Sequence, residues 1–362
     1  MLRTRRRETG GRAGARVAIA GLGLAATLAL APGVHAGGPE CAGLPAEIVG
    51  NAGGNLLVGT PGDDVIWAGA GNDAVRGKVG RDVICGGDGR DDLRGGGGRD
   101  NIRGERGRDR LLGGNASDNL YGAQFVVDGD ATGAADDVLI GGPGDDGLFG
   151  DAVSNGGGEA EGDGDDVLRG GPGDDGLVGD ARVANDGVLA DGDGDDRLRG
   201  GSGRDLMIGD SLGQNDADVA GAGEDDLRGG RGRDQITGDG RTSDGDVNLG
   251  ADDSIRGGGG RDLITGDGQS SDGDVFGGGA DVVYGDDGND LITGDGRSET
   301  GDVAGGNGDR LAGNQGADNL LGGIGADRLR GGPGAPDRCE GGPDGPLVID
   351  VAQGCETVID VP

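Results

Sequence analysis

The hydrophobic and polar positions of this chain follow a nine-residue pattern, G-G-x-G-x-D-x-L-x, in which position six is acidic and position eight is apolar. The pattern runs without interruption from residue 50 to residue 121. The x-L-x half predicts a three-residue β-strand with one inward side chain, and the glycine-rich half predicts a turn with positive φ and close backbone approach. A short fixed period predicts a stacked repeat, in which two nonapeptides form one flattened coil of a solenoid.

After residue 121 the pattern alternates between regular nonapeptides and longer units of nineteen to twenty-one residues. The regular units begin at Gly141, Gly170, Gly200, Gly229, Gly257, Gly285 and Gly313, and the long units begin at Gly122, Gly150, Gly179, Gly209, Gly238, Gly266 and Gly294. Because each unit is half of a coil, this alternation predicts that every insertion lies on the same edge of the stack. The short turns then lie on the opposite edge.

The long units carry extra acidic residues. Most of them open with Gly-Asp, and each returns to the pattern at an aspartate in position six. The opening aspartates are Asp151, Asp180, Asp210, Asp239, Asp267 and Asp295, and the position-six aspartates are Asp137, Asp166, Asp196, Asp225, Asp253, Asp281 and Asp309. Two interpretations remain open. The insertions are solvated surface loops, or they supply additional metal ligands or a ligand-binding face.

The two ends of the chain differ from the repeats. Residues 1–36 combine an arginine-rich start, an apolar run and small residues, which predicts a secretory signal peptide and therefore a secreted protein, extracellular or associated with the cell surface. Because a solenoid needs protected ends, we predict an N-terminal cap at 37–49 and a C-terminal cap at 331–362. Between them we predict a compact section at 50–121, a section with alternating insertions at 122–312, and the final regular repeats at 313–330.

Four cysteines lie as one pair toward each end of the repeats. An even number of cysteines in an exported chain favours disulfides, and we expect neighbours to pair, Cys41 with Cys85 and Cys339 with Cys355. The alternative is a zinc site. It lacks C-x-x-C spacing, and the only histidine, His35, belongs to the predicted signal peptide.

Composition alone would indicate disorder, since 94 of the 362 residues are glycine and 2% are aromatic. The period argues against disorder, although a disordered acidic calcium buffer stays an alternative. The formal net charge of −35 repels nucleic acid and anionic membranes and attracts multivalent cations. Outside the predicted signal peptide, no apolar stretch is long enough to span a membrane.

The repeat also predicts a bound cation. One buried apolar side chain per nine residues does not offset the backbone entropy of ordering them, and stacking brings the position-six aspartates together. We therefore expect the array to be unfolded without a divalent cation. The available donors are carboxylate and carbonyl oxygens, which suit Ca²⁺ rather than zinc, copper or iron.

Segments 141–149 (GGPGDDGLF) and 257–265 (GGGGRDLIT) resemble the hemolysin-type, or RTX, calcium-binding nonapeptide repeat. With its signal peptide and flanking cysteines, the chain is similar to the secreted calcium-binding repeat proteins of high-GC Gram-positive bacteria. The resemblance implies an all-β fold, a parallel β-roll, with multiple calcium ions held between successive turns by position-six aspartates and turn carbonyls. On the edge with the short turns it implies the ligands Asp64, Asp82, Asp100, Asp118, Asp146, Asp175, Asp205, Asp234, Asp262, Asp290 and Asp318. On the opposite edge of the compact section it implies Asp73, Asp91 and Asp109. Asn55 replaces the aspartate of the first unit, so the site there should be weak or absent.

The pattern leaves little room for catalysis. Once the signal peptide is removed, no histidine remains for Ser-His-Asp, Cys-His or HExxH chemistry. We therefore expect no enzyme and predict calcium binding with folding on calcium, a structural or adhesive surface role, and an extracellular glycan or protein as a further partner. The alternative is a polysaccharide-active enzyme or glycan-binding module that uses the insertion edge. The arginines that recur at positions five and nine either bind an anionic glycan or offset aspartate charge between coils.

Overall fold

The computed structural model describes residues 38–342 and 351–359, apart from residues 128, 157, 185–188, 215, 216, 222, 249, 299–302, 305 and 335. The predicted signal peptide and the apolar residues 347–349 of the predicted C-terminal cap lie outside the described residues. Within the described part the chain forms strands, turns and bends. No helix there has the length and apolar composition that a membrane crossing requires.

Two long parallel sheets form the body of the molecule. Sheet I consists of Ile48–Asn51, Val65–Ala70, Val83–Asp88, Asn101–Arg106, Asn119–Tyr121, Gly147–Phe149, Gly176–Val178, Leu206–Ile208, Gln235–Thr237, Leu263–Thr265, Leu291–Thr293, Asn319–Leu321, Arg338–Glu340 and Thr357–Ile359. Sheet II consists of Leu56–Val58, Ala74–Val79, Asp92–Gly97, Arg110–Asn115, Val138–Ile140, Val167–Pro172, Arg197–Gly203, Asp226–Gly232, Ser254–Gly260, Val282–Gly288, Arg310–Gln315, Arg328–Arg330 and Val351–Gln353. The body strands alternate between the two sheets along the chain, which confirms the parallel β-roll.

The position-eight side chains fill the space between the two sheets. The register pairs each of them with the equivalent residue one coil away, as Ile66 with Ile84 in sheet I and Leu198 with Leu227 in sheet II. These side chains form one continuous core from Ile66 to Leu329, almost all of it fully buried. Because one residue per strand points inward, each sheet contributes a single layer of side chains to this core.

The body strands are longer than predicted in two places. Between residues 65 and 106 the strands of sheet I span six residues, as in Val65–Ala70, and in sheet II they span up to seven, as in Arg197–Gly203. The prediction of three-residue strands is wrong there because the first turn residues also pair with the neighbouring coil, as Gly171 does with Gly201. It holds for sheet I after residue 118, where the strands have three residues, as in Gly147–Phe149.

The insertions stack on one edge and form two further parallel sheets. Sheet III consists of Phe125–Val126, Val153–Ser154, Arg182–Val183 and Leu212–Gly213. Single bridges through Arg241 connect it to a two-stranded sheet of Gln269–Ser270 and Arg297–Ser298. Sheet IV consists of Ala131–Thr132, Ala160–Glu161, Leu189–Asp191, Asp218–Ala220, Val247–Asn248, Val275–Phe276 and Val303–Ala304.

Small side chains make a thin core inside the insertion lobe, by which we mean sheets III and IV with their connecting loops. Alanines such as Ala152 and Ala181 cluster in its first half, and Val219, Val247 and Val275 cluster further on. Buried hydroxyls close the loops, since Thr242 Oγ1 donates to Ala217 O (2.8 Å) and Ser270 Oγ donates to Gly245 O (2.9 Å). The interpretation of the insertions as solvated surface loops is therefore wrong for these stacked segments.

Disulfides hold both ends of the roll. An antiparallel hairpin, Glu40–Cys41 with Leu44–Pro45, precedes the first strand of sheet I. Cys41 forms a disulfide with Cys85 in the strand Val83–Asp88. Cys339, in the strand Arg338–Glu340, forms a disulfide with Cys355, which lies in the connection between the last strand of sheet II and the last strand of sheet I. Both predicted pairings are confirmed. The exact boundaries of the caps and sections stay predictions.

Candidate metal centres

Position-six aspartates form a continuous buried row along the regular edge, where the chain turns from sheet II into sheet I. The backbone N–H of each donates to Oδ1 of the aspartate one coil later, as from Asp64 to Asp82 (2.9 Å) and from Asp175 to Asp205 (2.9 Å). All are at most 4% exposed. The row contains every position predicted for this edge, Asp64, Asp82, Asp100, Asp118, Asp146, Asp175, Asp205, Asp234, Asp262, Asp290 and Asp318, and it continues to Asp337.

A second row of the same kind follows the insertion edge, where the chain turns from sheet I into sheet II. It begins with the predicted Asp73, Asp91 and Asp109. It then continues through the position-six aspartates of the long units, because Asp109 N–H donates to Asp137 Oδ1 (2.6 Å). The further members are Asp166, Asp196, Asp225, Asp253, Asp281, Asp309 and Asp327. The ligand set implied by the resemblance omitted this continuation, although its sequence signal is the same position six.

One carboxylate oxygen of almost every predicted ligand is buried without a hydrogen-bond partner. This oxygen is Oδ2 of Asp73, Asp82, Asp91, Asp100, Asp109, Asp118, Asp146, Asp175, Asp205, Asp234, Asp262, Asp290 and Asp318. Asp64 is the exception, since its Oδ2 accepts from the backbone N–H of Thr60 (2.6 Å). A buried charged oxygen without a partner is costly, so these rows need a counter-charge.

Position-one glycines leave space beside the unpaired oxygens of both rows, except at Asp73, where Ala68 occupies position one. A Cβ added at Gly229 would lie 2.5 Å from Asp234 Oδ2 and 2.6 Å from the carbonyl oxygen of Gly257. A Cβ at Gly257 would lie 2.6 Å from Asp262 Oδ2 and 2.8 Å from the carbonyl oxygen of Gly285. A carboxylate oxygen and a main-chain carbonyl of the next coil therefore converge at each of these glycines, and any side chain would fill the space between them.

This donor set fits calcium. Among the described residues, no group of three or more His, Cys, Asp or Glu side chains could hold a metal ion. A cation must therefore draw on main-chain carbonyls as well as on the paired aspartates. Ca²⁺ takes six to eight oxygen ligands in flexible geometry, and carbonyls commonly supply several of them. The convergent oxygens at the position-one glycines are of this type.

Burial raises the pKa of interior carboxyl groups in both rows, and repulsion between adjacent aspartates adds to the effect. On the regular edge burial raises the pKa of Asp100 to about 6 and that of Asp118 to about 7, despite the hydrogen bonds that each accepts. On the insertion edge burial raises the pKa of Asp109 to about 8 and that of Asp137 to about 9. A divalent cation would favour the charged form that burial opposes.

The β-roll with its two rows of buried carboxylates defines a calcium-binding repeat protein. The family model of the RTX calcium-binding nonapeptide repeat matches residues 49–84, 86–123, 131–155, 162–181, 184–211, 219–240, 249–270, 277–296 and 303–335. The chain belongs to this family, and its repeats are calcium-binding repeats. No curated protein matches the sequence.

Proposed function

We propose that this protein is secreted, folds when several calcium ions bind to its repeats outside the cell, and then has a structural or adhesive role at the cell surface. The observation that carries the proposal is the pair of buried aspartate rows, in which Oδ2 of residues such as Asp82 and Asp91 has no partner. Calcium would supply that partner. The arginine-rich start with its apolar run supports export.

Calcium drives folding to the extent that it binds the folded chain more tightly than the unfolded one. The carboxylates and carbonyls of one site come from different coils, so stacking must bring them together. Extracellular calcium modules have dissociation constants on the order of 10⁻⁴–10⁻³ M. In the cytosol, where free calcium is scarce, the chain would then stay unfolded, and it would fold after export.

We assign the predicted position-six aspartates as ligands, with an uneven contribution along each row. Asp64 should bind calcium most weakly on the regular edge because Thr60 already occupies its Oδ2. At the other row's beginning, Asn55 brings no charge, and its side-chain amide donates to Asp73 Oδ1 (2.8 Å). The interior sites, such as the one at Asp175, should bind best because a complete coil lies on both sides.

Equilibrium dialysis against ⁴⁵Ca²⁺ with millimolar Mg²⁺ present tests this function. We expect several calcium ions per chain, which Mg²⁺ does not displace because it prefers a rigid octahedron and keeps its water. A chain that takes up no calcium under these conditions would refute the proposal.

The alternative function, a glycan-binding or polysaccharide-active protein, can be tested on the calcium-loaded chain with glycan arrays and a reducing-sugar assay. Contacts of the arginines support the charge-balancing role instead. Arg94 pairs with Asp92 (2.7 Å) and Arg228 pairs with Asp226 (2.9 Å), both on the outer face of sheet II. These two pairs lie within one strand, whereas Arg204 pairs with Asp174 of the preceding coil (2.7 Å). Such exposed pairs contribute little stability each, but they offset negative charge on the surface.

A further inference from the structure

The insertion edge carries a third row of buried carboxylates that the nonapeptide pattern does not require. In every long unit except the first, an aspartate follows the position-one glycine. Regular units have glycine or another residue at this second position. The third row consists of Asp151, Asp180, Asp210, Asp239, Asp267 and Asp295, all at most 1% exposed. Each coil, or rung, that contains one of them therefore has two buried carboxylates on its insertion edge, the third-row aspartate and the position-six aspartate. The regular edge has one per rung.

Four of the six third-row aspartates accept a backbone hydrogen bond through one oxygen and leave the other oxygen without a partner, namely Asp151, Asp180, Asp267 and Asp295. Asp210 differs, since Gly223 N–H lies within hydrogen-bond distance of both its oxygens (3.2 and 3.4 Å). Gly164 N–H donates to Asp151 Oδ2 (2.7 Å), and Gly194 N–H donates to Asp180 Oδ2 (2.9 Å), so the end of each insertion holds the carboxylate in place. Oδ1 of Asp151 and Oδ1 of Asp180 have no partner. Neither oxygen of Asp239 has one, although this residue is fully buried.

Main-chain carbonyls converge on the same oxygens. A Cβ added at Gly192 would lie 2.6 Å from both Asp180 Oδ2 and the carbonyl oxygen of Gly162. A Cβ added at Gly194 would lie 2.7 Å from Asp180 Oδ1 and closer still to the carbonyl oxygen of Gly164. The space that these glycines leave is therefore lined by carboxylate and carbonyl oxygens from two successive rungs.

No positive side chain balances this charge. None of the six aspartates of the third row forms an ion pair with any Lys or Arg of the described residues. Burial raises the pKa of Asp180 and Asp210, and the charged groups that raise it further are other aspartates. Burial raises the pKa of Asp239 well above its ordinary value, and the charges of Asp253, Asp267 and Asp281 raise it further. A hard cation that accepts only oxygen ligands is the partner that suits such a row.

We propose that the insertion edge holds a second class of calcium site, in which a third-row aspartate and a position-six aspartate of the same edge bind one ion together with main-chain carbonyls. Two carboxylates per rung neutralise one divalent ion, so these sites should bind more tightly than those of the regular edge. The proposal rests on the calcium chemistry proposed above, but it adds ligands that lie outside position six of the repeat.

Two matched triple variants of the full-length chain test the proposal. D180N/D210N/D239N removes three third-row charges and keeps the size of each side chain. D195N/E224Q/D252N removes the same charge from exposed acidic residues of the same three insertions. Native mass spectrometry over a calcium titration should show that the first variant loses one ion for each substituted aspartate, or binds those ions at least tenfold more weakly. The second variant should match the wild type.

The outcomes separate the two proposals. If D180N/D210N/D239N binds as many calcium ions as the wild type and with the same affinity, the second class of site is refuted and the calcium-binding function stands. If the wild type itself binds no calcium, both fail. Because the triple variant could misfold, wild-type crystals soaked in Tb³⁺ provide an independent test. Anomalous peaks beside Asp210 and Asp239 support the proposal, and peaks confined to the regular edge overturn it.

Discussion

Apart from Ala68, position one of the nonapeptide is glycine because the space beside its Cα lies between two oxygen atoms. At Gly59, an added Cβ would come 2.6 Å from Asp64 Oδ2 and 2.6 Å from the carbonyl oxygen of Gly77. The reason differs at position two, where Gly69 and Gly87 have φ of 112° and 108°, a region that side chains rarely adopt. In such a glycine-rich turn, glycine at position one leaves space and glycine at position two allows a positive φ.

Gly95→Ala should weaken calcium binding, whereas Gly97→Ala in the same turn should not. A Cβ at Gly95 would lie 2.8 Å from Asp100 Cβ and closer still to its Oδ2, whereas a Cβ at Gly97 meets nothing nearer than 3.8 Å. We expect Gly95→Ala to reduce the free energy of unfolding in calcium by about 1–3 kcal/mol. Denaturant titration of both variants in calcium measures this free energy. An equal loss in the two variants would contradict the claim that position one is the crowded position.

Acid should partly replace calcium. Burial raises the pKa of Asp91 to about 6 and that of Asp309 to about 8, from ordinary values near 3.8. A group whose pKa is raised on folding contributes stability that is present below its unfolded pKa and is lost as the pH rises through its folded pKa. In calcium-free buffer we therefore expect strand content to increase as the pH falls from 8 to 4. Circular dichroism measures the strand content, and sedimentation velocity excludes aggregation. A disordered chain at every pH would refute the raised pKa values.

At the scale of the coil, each rung contacts only the rungs beside it, so stability should propagate along a one-dimensional array. Interior and terminal aspartates then differ. Asp175 lies mid-row with an unpaired Oδ2, whereas Asp64 begins its row and accepts from Thr60.

Asp175→Asn should therefore cost more than Asp64→Asn. We expect a loss of about 1–3 kcal/mol for the interior variant in saturating calcium and under about 1 kcal/mol for the terminal one. The midpoint of the calcium-induced folding transition should also rise more for Asp175→Asn. Isothermal titration and thermal unfolding measure both quantities, and a terminal effect equal to the interior one would contradict the array model.

The sequence predicts the roll well because its information is local. The nine-residue spacing alone places Ile66 and Leu93 in the core and Asp82 and Asp91 in the buried rows. The burial of Asp180 could not be predicted in this way, because it depends on Gly194, fourteen residues later, and on stacking with insertions a full coil away. A Gly-Asp pair in a glycine-rich segment is typical of a solvated turn. Its only distinguishing signal is that it recurs at the start of successive long units.

Across the whole molecule, disulfides protect the two ends at which the coils lack a neighbour. Cys41–Cys85 joins residues 44 apart in sequence, and Cys339–Cys355 joins residues 16 apart. Closing such loops contributes about 2–4 kcal/mol in small domains. In a roll whose rungs contact only their neighbours, that contribution should stay close to each end.

Cys339→Ser with Cys355→Ser should therefore loosen the C-terminal coil alone. We expect faster hydrogen exchange in Arg338–Glu340 and Thr357–Ile359 of the calcium-loaded chain, with no change in Leu206–Ile208 near the middle of sheet I. Hydrogen–deuterium exchange with mass spectrometry resolves these strands. If exchange rose throughout the roll, unfolding would be cooperative over its whole length and the array model would be wrong.

We propose that calcium ions between the coils hold the roll together. Far-ultraviolet circular dichroism of the chain without residues 1–36 tests it most directly, first after dialysis against EGTA at neutral pH and then during addition of calcium. We expect the spectrum of a disordered chain in EGTA and a cooperative change to a β-strand spectrum as the calcium concentration rises. An unchanged strand spectrum in EGTA would contradict it.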